Sequence, residues 1–259
     1  MKQLYVAVLA VLFAGWMGAA VQPQLSCTVT IKPGDSIQKA IDEVAPGAVI
    51  CLEEGIWDDG FLIQKDITIR GAGPDKTIVR SRAMVWAELP ITAVIQGFSV
   101  AGVVVGGPIR VTLQDVYVQG AGIYIVGVGN TAVDLVKTTV SRSSLILFQA
   151  TVTLVDSQVI GAELGGIMVL SGRDGKAQLS LVNSRVLDNA IGISAGVWEE
   201  SIYITLERSV IAGNRWKGLT AGGLAHIEIR ESTIENNGTN PLCMVCPGIE
   251  VGDQEGSDQ

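Results

Sequence analysis

Few residues of this chain combine the types and spacing that chemistry needs. Trp198 is followed by Glu199 and Glu200, and Trp216 sits between Arg215 and Lys217. An indole offers a flat apolar face to the C–H side of a sugar ring, and charged neighbours can bond the hydroxyls. Trp198, Glu199, Arg215, Trp216 and Lys217 are therefore the candidate carbohydrate-binding residues. The competing role is structural, each indole covering the base of its own loop. His226 is the single histidine. Without a second imidazole it does not suggest a copper or zinc centre, and no metal or other cofactor is expected. Hydrolysis of a glycosidic bond needs two carboxylates across one cleft. Asp115, Asp156 and Glu231 recur at one repeat position, but Lys137, Asn183 and Arg208 alternate with them. Mixed signs in a row describe a solvated face with cross-coil pairing better than a catalytic pair, so no catalytic residue is assigned.

The four cysteines are read in the same way. Cys27 and Cys51 fall in predicted strands near the start, and Cys243 and Cys246 form one C-x-x-C. A zinc site would want a second such pair, and a redox site would want a helix in a βαβ setting. Structural disulfides near the two ends of the array are the expectation.

The elements that must position these residues repeat. Ile204-Thr-Leu206-Glu-Arg-Ser209-Val-Ile211-Ala-Gly-Asn214 matches Ile227-Glu-Ile229-Arg-Glu-Ser232-Thr-Ile234-Glu-Asn-Asn237 at an offset of 23, and Leu179 to Asn189 precedes the first at an offset of 25. Such a period indicates a solenoid. Pairs of aliphatics five apart continue the pattern: Ile95/Val100, Leu113/Val118, Leu135/Val140, Leu154/Val159, Leu181/Val186, Leu206/Ile211 and Ile229/Ile234. An odd spacing cannot keep both side chains on one face of a straight strand, so a bend lies between them. A further strand follows a glycine at Gly122, Gly166, Gly192, Gly218 and Gly248. Asn189, Asn214 and Asn237 then align as one structural ladder, and Ser184, Ser209 and Ser232 as another, satisfying backbone groups at the turns.

Near the N-terminus, Ile37, Ala40, Ile41 and Val44 share one helical face, with Asp35 placed to cap it and Gln38 three residues on. The run Pro33-Gly-Asp-Ser-Ile-Gln-Lys-Ala-Ile-Asp42, with Pro46-Gly47, Gly55-Ile-Trp57 and Ile67-Thr-Ile-Arg-Gly-Ala-Gly73, resembles the entry to right-handed parallel β-helices of the pectin lyase-like superfamily. The resemblance implies an all-β, right-handed parallel β-helix whose short helix plugs the open end, where a strand edge would otherwise stand unpaired. It does not extend to the enzymes' active residues. The Trp-x-Asp-His of pectate lyases is missing, as is the Gly-His-Gly of polygalacturonases, and Gln114-Asp115 lacks the companion motifs of pectin methylesterases.

Composition sets the outer bounds. Hydrophobic content of 48% with 31 glycines suits short aliphatic strands and tight turns. A net charge of −8 opposes nucleic acid, and opposes anionic polysaccharides too unless calcium or a local basic groove intervenes. Residues 1–20 read as a signal peptide: Lys2, then an apolar run from Leu4 to Phe13, then Gly18-Ala19-Ala20. Residues 21–90 form the cap and first coils, 91–251 the repeat coils, and 252–259 a tail. Ile91 to Ile109 carries no charge, and its outward positions are unusually apolar, together with Tyr117, Tyr124 and Val126. Either the segment 81–90 folds over this flank or another molecule does. The expectation is an exported, non-catalytic β-helix protein at the cell surface or in the periplasm. It would bind carbohydrate or a protein partner and would not span the membrane once the leader is removed. A polysaccharide lyase or glycoside hydrolase with a non-standard site is the alternative. Homotypic assembly through the Ile91–Val128 flank is the third.

Overall fold

The computed structural model describes residues 26–172, 175–196, 202–222 and 225–238, and the backbone of 249–251. The strands join one parallel sheet that winds as a solenoid of three faces. Face A is laid down by Val29–Ile31, Ala48–Leu52 and Ile67–Arg70, then by the first part of Thr92–Gly107 and of Arg110–Gly127, and onward to Ala225–Arg230. Face B holds the short strands Thr139–Ser141, Gln158–Ile160, Arg185–Leu187, Val210–Ala212 and Thr233–Glu235. Face C holds Phe61–Ile63, Leu145–Phe148, Gly165–Leu170, Ile191–Gly196 and Lys217–Ala221, with the last parts of Thr77–Trp86 and of the two long strands. Within each face, one turn pairs in register with the next.

Alternation of side chains about the pleat turns every second aliphatic into the lumen. Leu181 pairs with Leu206 and Leu206 with Ile229, and all three are buried. Each such side chain contributes about 1.5–3 kcal/mol on full burial, so the stacked lumen dominates the stability of the fold.

The bend between the paired aliphatics has a specific backbone cause. Two residues after each face A aliphatic, the chain enters the left-handed region at Asp115, Lys137, Asp156, Asn183, Arg208 and Glu231, with φ between 46° and 52°. Such a conformation costs a non-glycine residue about 1–2 kcal/mol. The next residue offsets part of that cost. Ser184 Oγ donates to Val182 O and accepts from Ser157 N of the preceding turn. Ser209 and Ser232 repeat the arrangement, and Thr138 Oγ1 bridges Leu113 O and Val136 O. Within the charged row, Asp156 accepts from Asn183 Nδ2, while Arg208 pairs with Glu207 of its own strand.

The second bend is held by asparagine. Asn189 Oδ1 accepts from Ala162 N, and Asn214 Oδ1 accepts from both Asn189 N and Asn189 Nδ2 at 3.0 Å. Asn237 Oδ1 does the same for Asn214. The recurrent glycines follow from this. A Cβ at Gly166 would stand 2.7 Å from Asn189 Nδ2, and one at Gly218 would stand 2.5 Å from Asn237 Nδ2.

At the N-terminal end, the helix Ile37–Glu43 buries Ile37, Ala40 and Ile41. Its cap is Ser36, whose Oγ accepts from Lys39 N, and not Asp35. Asp35 is one residue too early: its carboxylate accepts from Lys32 N and closes the preceding turn. Gln38 ties the helix to the first face C strand, accepting from Leu62 N and donating to Leu62 O. Cys27 is bonded to Cys51 across the first two face A strands. Cys243 and Cys246 lie outside the described residues. Among the described residues no helix is long and apolar enough to cross a membrane.

The segment 81–90 is not a cover for the apolar flank. Its first half completes the strand Thr77–Trp86, which pairs directly with Thr92–Gly107 as a turn of the stack. Alternation explains why: Ala83 and Val85 point inward and are fully buried, while Met84 and Trp86 point out.

Candidate functional site

Face A carries an outward column in which chemistry is concentrated. Arg110, Ala132, Thr151, Gln178, Tyr203 and His226 stand in register on six consecutive turns. At its C-terminal end the Tyr203 phenol lies on the His226 imidazole, with ring centroids 4.9 Å apart and planes 10° from parallel. Lys176 reaches back over the same phenol, its Nζ 5.8 Å from the ring centroid. The stack arises because both rings occupy the second residue of equivalent strands, Ile202–Glu207 and Ala225–Arg230, at directly paired positions.

Beside this column runs a groove of about 560 Å³, lined by residues that include Arg110, Asn130, Gln149, Thr151, Lys176 and Gln178. Its floor is built on close approach. Gln149 has φ 51°, and a Cβ at Gly127 would meet Gln149 O at 1.9 Å. Gly175 likewise leaves no room for a Cβ, which would stand 2.7 Å from the Gln149 side chain. Arg110 Nη1 pairs with Asp134 Oδ2 at 3.3 Å, with Arg110 the more exposed partner. Thr151 Oγ1 lies 3.5 Å from Gln178 Oε1. The groove and the ring stack are continuous through Lys176 and Gln178. Together they present side-chain amides, hydroxyls, the Arg110–Asp134 ion pair, the Lys176 ammonium and the stacked Tyr203 and His226 rings. Such a surface can hold a hydroxylated, extended ligand by hydrogen bonds and ring stacking. Among the described residues, no group of three or more His, Cys, Asp or Glu side chains could hold a metal ion.

The residues singled out by type fall elsewhere. Arg215 and Trp216 form the bend between faces B and C, where their N–H groups donate to Asn189 O and Ala190 O. The Trp216 indole is half exposed and Arg215 lies over it, 5.4 Å from the ring centroid. Lys217 begins the next face C strand. Trp198 and Glu199 lie outside the described residues. Thus Arg215, Trp216 and Lys217 are brought together at one corner, and the strand Lys217–Ala221 separates them from His226. Tyr203, Lys176, Gln178, Gln149 and Arg110 are not conspicuous by type. The offset of 23 that equates Ile204 with Ile227 also equates Tyr203 with His226, and that was the available signal.

No protein-family model and no curated protein sequence matches the chain. Solved structures do. The A-module of mannuronan C-5 epimerase AlgE6 from Azotobacter vinelandii superposes with a TM-score of 0.54 at 15% identity, covering 82% of this chain and 74% of that one. The A-module of AlgE4 from the same organism gives 0.37 at 11% identity, over 87% and 100% of the two chains. ORF18 of Geobacillus virus E2 gives 0.41 at 12%, over 86% and 59%. At these identities the first likeness concerns the fold alone, and the other two superpose too loosely to add to it. In its winding, its stacked lumen and its parallel faces, the chain is a parallel β-helix protein, the architecture that the resemblance to the pectin lyase-like superfamily implies.

Proposed function

We propose that this is an exported β-helix protein that binds a polysaccharide strand along face A without cleaving it. The observation that carries the reading is the Tyr203–His226 ring stack with Lys176, continuous with the groove lined by Arg110, Gln149 and Gln178. Repeated register matters here. Turns about 4.8 Å apart set equivalent side chains in a line, and a polymer of repeating rings can be followed from one turn to the next. Export is supported by the apolar leader sequence and by the Cys27–Cys51 bridge, which persists in oxidising compartments. The epimerase that shares the fold acts, by its name, on mannuronan. That makes an acidic polysaccharide the first ligand to test, with Lys176 as the local cation that a chain of net charge −8 would need. Arg215–Trp216 is a separate exposed aromatic–cation pair and serves as a second, weaker contact.

The test is a glycan-binding titration with neutral and acidic polysaccharides. Tyr203→Ala should weaken binding by about tenfold by removing the phenol and unseating the His226 and Lys176 side chains packed on it, with the circular dichroism spectrum unchanged. Equal affinity for wild type and Tyr203→Ala would end the face A reading. One observation favours a second reading, turnover: a phenol and an imidazole in contact are acid–base groups. New reducing ends, unsaturated products or inverted uronate residues after incubation would establish it.

A further inference from the structure

The outer surface of face C is apolar across six turns. One outward column runs Leu62, Met84, Val104, Tyr124, Ile146 and Met168, and a second runs Trp86, Gly106, Val126, Phe148 and Leu170. No charged side chain occurs in either column. On the following turns the same positions become Ser194, Gly196 and Thr220, so the patch has a defined end. Met84, Trp86, Tyr124 and Val126 are each 40–43% exposed, and Leu89 and Val128 on the flanking bends are more so. Trp86 lies flat over Gly106, where a Cβ would stand 2.2 Å from the indole, so the surface stays level. A parallel sheet with one bare apolar face is unusual, because such sheets are ordinarily covered on both sides.

We infer that face C is the docking surface for a second copy of this chain, packed face to face about a two-fold axis along its Tyr124 strand. Three features select that occupant. The exposed side chains and their flanks offer on the order of 800 Å², the share that a standard interface takes from each partner. An uncharged patch is the part of a chain of net charge −8 on which two copies repel least. The rim is also self-complementary. Arg82 stands two residues before Met84 on the second turn of the patch, and Glu163 stands on the bend two residues ahead of the strand Gly165–Leu170 on the sixth. Both are exposed, and neither has an ion pair among the described residues. A two-fold axis through the Tyr124 turn brings Arg82 of each copy to the side of the patch where the Glu163 bend of the other enters, and sets Tyr124 against Tyr124, as an isologous contact requires.

Sedimentation equilibrium and light scattering on the purified mature chain test this. A dimer is expected, and Tyr124→Asp should raise its dissociation constant by on the order of a hundredfold, because symmetry sets two carboxylates together in the buried centre. Arg82→Glu and Glu163→Arg should each weaken the dimer, and the double variant should restore it while all variants keep the wild-type circular dichroism spectrum. A monomer at every attainable concentration would overturn the proposal. So would an oligomer indifferent to Tyr124→Asp, or a face C shielded in a monomer by the chain's own residues.

Discussion

A Cβ built on Gly192 would stand 2.9 Å from the side-chain nitrogen of Asn214 and 2.3 Å from the Gly218 carbonyl oxygen. The asparagine that closes one bend therefore occupies the space that any side chain at the adjoining glycine would need. Gly192→Ala is expected to destabilise the fold by about 1–3 kcal/mol through overpacking, read from the urea midpoint.

Asn214 is fully buried and serves four bonds, accepting from Asn189 N and Nδ2 and donating to Val186 O and Asn237 Oδ1. Asn214→Ala strands two buried backbone groups of the preceding turn, the Asn189 N–H and the Val186 carbonyl. A loss of about 3 kcal/mol is expected, with hydrogen exchange at the Asn189 amide accelerated first.

The left-handed bend gives a substitution series with opposite signs. Arg208 has φ 46°. Arg208→Gly should be neutral or slightly stabilising, whereas Arg208→Val should cost about 1–2 kcal/mol because a branched Cβ is poorly tolerated there. Ser209→Ala should cost a similar amount by leaving the Ser184 N–H without its acceptor. Thermal melts of the three variants decide the series.

Reduction should loosen the N-terminal end alone. The Cys27–Cys51 bridge closes a 24-residue separation, for which about 3 kcal/mol of chain-entropy stabilisation is expected. Solenoid turns interact chiefly with their neighbours. Hydrogen exchange after reduction should therefore rise in the first turns and stay unchanged at Leu181 and beyond.

Lys176→Gln should weaken an acidic polysaccharide about two- to fivefold, in line with one exposed cation near a ring. Added salt should narrow the gap between wild type and variant. A neutral glycan should bind both alike, measured by calorimetry at two ionic strengths.

What was legible in the chain was whatever depends on a local pattern repeated. The five-residue spacing of Leu206 and Ile211 implies a bend between two inward side chains, and the offset of 23 stacks Leu206 on Ile229. Both follow from pleat geometry and need no knowledge of distant contacts. The end cap was legible to within one residue, since Asp35 and Ser36 are both good capping types and only the turn at Lys32 distinguishes them. The meeting of Tyr203, His226 and Lys176 belongs to the tertiary structure. The length of the loop before Ala177 decides whether a lysine reaches that phenol, and loop lengths vary between turns without disturbing the core. The level apolar surface of face C was decided there too. Alternation in Thr77–Trp86 makes Met84 and Trp86 outward residues only once that segment is a rung of the stack. A list of hydrophobic residues cannot distinguish the side of a sheet that faces the lumen from the side that faces water.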